Sequence, residues 1–151
     1  MNKLTVDFQQ VFEAPGIPSE TQVQKWAQLA WQGEDPSEVT VRIVGTEESQ
    51  ALNHQYRGRD YATNVLSFPA FPVAIGDPLP PLLGDVILAS ETVEREARLE
   101  GKVVQHHISH LVIHGLLHLL GYDHENEEDA EVMEAIERSA LARLAIPDPY
   151  A

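Results

Sequence analysis

The chain has 151 residues, 43% of them hydrophobic, which is enough for one ordinary globular domain with a buried core. It contains no cysteine, which excludes disulfides, thiolate catalysis and cysteine-type zinc sites. Ten basic residues against twenty-four acidic ones give a formal net charge of −14, so contact with a polyanion would need a locally basic site.

The start, MNKLTVDFQQ, has no apolar signal-like run and no later stretch approaches a membrane span, so the expected setting is a reducing cytoplasm. PSETQVQKWAQLAWQG predicts a first helix. Ser19 and Gln22 make a capping-box pair, Val23, Trp26, Ala27 and Ala30 form an apolar stripe, and Gly33 is the expected stop. SEVTVRIVG alternates Val39, Val41 and Ile43 with Thr40 and Arg42, the pattern of a half-buried strand. TEESQALNHQY predicts a short helix capped by Thr46. TNVLSF and GDVILAS read as strands, and PAFPVAIGDPLPP between them, with five of the ten prolines, reads as a surface loop. ETVEREARLEG reads as a helix and HHISHLVIHGLLHLL as a buried one. NEEDAEVMEAIERSALARLA reads as an amphipathic helix whose acids from Glu127 to Glu137 form a solvated face. Without repeats or linkers, this irregular mixture predicts a single α+β domain over residues 1–151. It would have a small mixed sheet packed with helices and one buried central helix.

Six of the seven histidines lie between His106 and His124, within that apolar stretch. In HGLLHLLGYDH, His114 and His118 are four apart and share a helix face, Gly121 suits a left-handed helix end, and the chain then turns back to bring His124 to the same point. Three neutral imidazoles at roughly 2.0–2.1 Å with a fourth position open is the catalytic zinc pattern, and one Zn²⁺ per chain is the expected cofactor. The leucines fix the helix that the histidines need. His110 continues the stripe one turn earlier and is an alternative third ligand, although a place behind the ligands suits it better. His106 and His107, near the helix start, are expected to be solvated. The motif is not HExxH, because Gly115 stands where a zincin carries its glutamate.

HGLLHLLGYDH, preceded by YRGRDYATNVLSFP and LLGD, resembles the bacterial YbeY family of metal-dependent endoribonucleases, from about Val39 to the closing PDPY. The resemblance implies an α+β fold, zinc on His114, His118 and His124, and hydrolysis of single-stranded RNA. It further implies maturation of the 16S ribosomal RNA 3′ end, ribosome quality control and possible contact with small-subunit components, with no DNA or membrane partner. It also implies that Arg57, in Tyr56-Arg57-Gly58, is a catalytic arginine. Asn64 stands where many relatives carry aspartate.

An RNA phosphodiester needs positive charge at the phosphate and an activated nucleophile. Arg57 offers a bidentate fork for a phosphate oxygen, Arg59 lies beside it, and Arg95, Arg98 and Lys102 could extend a basic track. Asn64 and Ser67 are candidate substrate contacts. Asp85, Asp123 and Glu125 are candidate bases. Asp85 could instead cap a turn, and Asp123 could orient a histidine from behind. Two other readings compete: a metal-dependent hydrolase of peptides or small esters, and a zinc-stabilised ribosome-assembly factor without turnover. Loss of fold on chelation would mark the last.

Overall fold

A computed structural model describes residues 4–10, 16–33, 35–57 and 64–150, with Tyr56 and Arg57 described by their backbone alone. In chain order the elements are β1 (Leu4–Gln10), α1 (Glu20–Ala30), β2 (Ser37–Val44), α2 (Thr46–Arg57), β3 (Val65–Pro69), β4 (Leu82–Ala89), α3 (Ser90–Glu100), α4 (Val104–Leu119) and α5 (Glu127–Ala142). They form an α+β fold around a four-stranded mixed sheet of order β1-β2-β4-β3. β1, β2 and β4 run parallel, and β3 runs antiparallel to β4, pairing Val65 with Leu88 and Ser67 with Val86.

α1 forms as its capping box dictates, with the Gln22 N–H donating to Ser19 Oγ and the Ser19 N–H to Gln22 Oε1. Val23, Trp26, Ala27 and Ala30 are its buried stripe. The helix ends at Ala30, before Gly33, which therefore is not its stop. Gly33 serves packing instead, since a Cβ there would fall 2.0 Å from the Trp31 ring. β1 was not anticipated, although Leu4 and Val6 are buried while Thr5 and Asp7 are exposed. Gln24 and Gln28 of α1 accept hydrogen bonds from the Val6 and Leu4 N–H groups, covering part of that sheet edge.

α2 begins differently from the expectation. The Gly45 carbonyl accepts the Ser49 N–H, so Gly45 occupies the cap position. The Thr46 hydroxyl and N–H both donate to Glu91 Oε1 on α3, so Thr46 fastens two helices rather than capping its own.

The sheet buries both faces. On one, Val44, Leu66 and Ile87 form a small cluster with Leu52 of α2; on the other lies the main core, to which α1, α4 and α5 contribute. α4 is buried on almost every side, which explains its lack of a strong polar face. It approaches β3 and β4 through Gly115. A Cβ there would lie 2.6 Å from Val86 Cγ1 and 3.2 Å from Ser67 Oγ. Position 115 therefore faces the sheet, and a glutamate in the zincin place would meet strands.

Gly115→Ala should lower unfolding stability by about 1–3 kcal/mol through overpacking, read as a smaller urea midpoint at unchanged slope. Unchanged stability would mean that the helix can withdraw from the sheet without cost.

Candidate metal centre

α4 carries His110, His114 and His118 at successive turns, and its C-terminus sets the third ring. The Gly121 N–H donates to the His118 carbonyl at 3.1 Å and the Tyr122 N–H to the Leu117 carbonyl at 3.0 Å, a Schellman pattern with Gly121 at φ 104°. This reversal returns His124 towards the helix. The ring centroids of His114 and His118 are 4.6 Å apart, those of His114 and His124 5.5 Å, and those of His118 and His124 5.2 Å. One nitrogen from each lies within 4.8 Å of the others, so the three can hold one metal ion.

Hydrogen bonds fix which nitrogens are presented. His118 Nδ1 lies 3.0 Å from the Tyr122 carbonyl, which can only accept, so Nδ1 carries the proton and Nε2 a lone pair. His114 Nδ1 lies 3.0 Å from Glu137 Oε2 and by the same logic donates to it. With both rings neutral, the two Nε2 atoms face each other at 3.1 Å with lone pairs converging. Two such acceptors repel unless a cation stands between them. Burial pushes His118 below the usual imidazole range, and neighbouring His114 and His124 act the same way, so the ring is kept neutral as a ligand must be. Three imidazoles without a thiolate suit zinc.

Glu137 is the residue that sequence reasoning missed. Its acidic neighbours predict a solvated face, yet it is fully buried. It follows Met133 by four residues and precedes Ala140 and Leu141, so it occupies the core stripe of α5, and that register was the available signal. Besides His114, it accepts hydrogen bonds on Oε1 from His110 Nε2 and from the Tyr150 hydroxyl, the latter at 2.5 Å. Burial alone would raise its pKa, but the bonds from His110, His114 and Tyr150 outweigh that and hold it at about 2. His110 thus stands one turn behind His114 and shares its carboxylate. His107 is a correction: it is buried, with Nε2 3.0 Å from Glu96 Oε1.

The histidines open onto a cleft of about 620 Å³ whose other wall is β3. Asn64 and Ser67 both line it. Asn64 Nδ2 donates to Glu96 and Ser67 Oγ to the Gly115 carbonyl, each at 3.0 Å. Asp123 also lines the cleft, but its carboxylate accepts the His124 N–H at 2.8 Å and no imidazole proton. Asp85 is placed elsewhere. Val86 meets α4 at Gly115, so strand alternation sends Asp85 to the opposite face, where it is exposed and absent from the cleft. From that face Asp85 does not line the wall that carries the histidines. Arg57 closes α2, while its side chain and Arg59 lie outside the described residues. The basic track is partly neutralised: Arg98 lies 4.0 Å from Glu94 and Lys102 3.5 Å from Glu100.

The family model for "Endoribonuclease YbeY" matches residues 9–145. A protein from Pseudomonas fluorescens named Endoribonuclease YbeY is 51% identical over 150 residues, covering 98% of this chain and 97% of that protein. The solution structure of TM1509 from Thermotoga maritima is similar at a TM-score of 0.57 and 25% identity, over 96% of this chain and 92% of that one.

Glu137→Ala would leave the buried His110 and the half-buried His114 without their acceptor. It should cost about 2–3 kcal/mol of stability in urea unfolding, the range for an unsatisfied buried polar group. A loss below about 0.5 kcal/mol, the scale of surface changes, would contradict the burial described.

Proposed function

The chain belongs to the YbeY endoribonuclease family, and we propose that it is a zinc-dependent endoribonuclease hydrolysing phosphodiesters of single-stranded RNA. The observation that carries the zinc assignment is the convergence of the His114 and His118 Nε2 lone pairs at 3.1 Å, with His124 beside them. A zinc ion held there would supply Lewis acidity to a phosphate oxygen and lower the pKa of a bound water towards about 7.

The chain's own groups do the rest. α4, wedged between sheet and α5, fixes two ligands, and the Gly121 turn fixes the third. The Tyr122 carbonyl and Glu137 hold the tautomers. Asn64 and Ser67 on the β3 wall line the path of the substrate strand, and Arg57 takes a phosphate oxygen from the end of α2. Asp123 is the one carboxylate among the described residues lining the cleft, and it replaces Asp85 as the proposed base. Family membership extends the proposal to 16S ribosomal RNA 3′-end maturation and ribosome quality control in the cytoplasm. No helix among the described residues is long and apolar enough to cross a membrane.

A labelled single-stranded RNA should be cut by the zinc-loaded protein, and His118→Ala should cut it more than about a hundredfold more slowly, beyond the loss expected for an outer partner of a ligand. Equal cleavage by both would place the activity outside the histidine site. Chelation should abolish cleavage while helical circular dichroism persists, because the core contains no residue that needs the ion. Unfolding on chelation would instead mark the ion as structural.

A further inference from the structure

The PDPY segment contributes nothing to the cleft wall formed by β3 and the three histidines. Its contacts nevertheless hold it in place. Asp148 Oδ2 accepts from Arg138 Nε at 3.2 Å, and Asp148 Oδ1 accepts the Tyr150 N–H at 2.8 Å. The Arg138 guanidinium lies 5.8 Å from the centre of the Tyr150 ring. These contacts tie the segment to α5 and insert the Tyr150 hydroxyl beside Glu137 Oε1 and 3.1 Å from His110 Nε2. Burial and the Glu137 carboxylate push the phenol well above its ordinary pKa, so it remains a donor.

We propose that Tyr150 is a positioning residue for the metal centre: its hydroxyl fixes Glu137, and Glu137 fixes the orientation of His114. This rests on the reading of His114 as a metal ligand. The geometry gives the chain of action. Glu137 uses Oε2 for His114 Nδ1 and Oε1 for Tyr150 and His110. Each donor stiffens the carboxylate against rotation about its last bond, and the paired donors on Oε1 restrain it more than His110 alone would, which steadies the imidazole that donates to Oε2. Without the hydroxyl, Oε1 keeps one donor, and the His114 lone pair is aimed less tightly at the ion.

The same cluster of His110, His114 and Glu137 could be taken for a second metal site. Its spacing argues otherwise. Tetrahedral donors at about 2.0–2.1 Å from an ion lie roughly 3.3 Å from one another. Glu137 already accepts hydrogen bonds at both oxygens, from His114 on Oε2 and from His110 and Tyr150 on Oε1, the last at 2.5 Å, so these groups are joined by protons and not by an ion.

Co²⁺ serves as the probe, since its visible absorption reports ligand geometry and its uptake needs no substrate. Tyr150→Phe, which removes only the hydroxyl, should weaken Co²⁺ affinity about tenfold, at the lower end of the range for outer partners of metal ligands, and should shift the visible band. Arg138→Gln, which loosens the segment but keeps the hydroxyl, should act in the same direction by less, and it carries the test if Tyr150→Phe fails to fold. A merely structural role would lower the melting temperature of the metal-free protein and leave affinity and spectrum alone; that result would overturn the inference. A wild type that takes up no Co²⁺, or His118→Ala that takes up as much, would bring down the metal assignment instead, and these outcomes are read separately.

Discussion

Two lone pairs on adjacent imidazoles, held nose to nose at 3.1 Å, are the constraint on which the centre depends. Such an arrangement is uphill for an unoccupied protein and must be sustained by its surroundings. The Tyr122 carbonyl and Glu137 each occupy the far nitrogen of one ring, so neither ring can relieve the conflict by changing tautomer. The backbone that carries the rings cannot withdraw, because α4 is buried on nearly all sides and pressed onto β4 at Gly115. The glycine, the buried carboxylate and the helix-ending turn all serve to keep two acceptors aimed at one point.

The same logic reconciles a strongly acidic chain with a polyanionic substrate. Fixed charges further away than about 8–10 Å are largely screened at physiological ionic strength, so the net charge of −14 has little reach into the cleft. What a phosphate meets there is local: three imidazoles and the cation they can hold. Glu137 is negative but lies behind His114, where it makes the ring a better donor to a cation. An acidic surface also attracts divalent cations.

Features governed by local periodicity were legible in the sequence. The α1 capping box and its stripe of Val23, Trp26, Ala27 and Ala30 need only the chain's own spacing, and so does the histidine pair with its glycine turn. Features that depend on what faces an element were not. Gly33 resembles a helix stop until the Trp31 ring is seen over it. Thr46 resembles a cap until Glu91 arrives from α3. Asp85 sits in a conspicuous motif, but only the packing of Val86 on α4 reveals which face of the sheet it occupies. Glu137 was hidden by its acidic neighbours, because composition outweighed register.

The contacts that prepare His114 come from chain that follows it. Glu137 is 23 residues further on, and Tyr150 another 13. On a ribosome adding about 5–20 residues each second, α4 exists for roughly one to five seconds before its carboxylate has been made. During that interval His114 is free to choose either tautomer and to swing about its side-chain bonds. The hydrogen bonds that aim His114 are therefore completed only after the chain beyond α4 has been made.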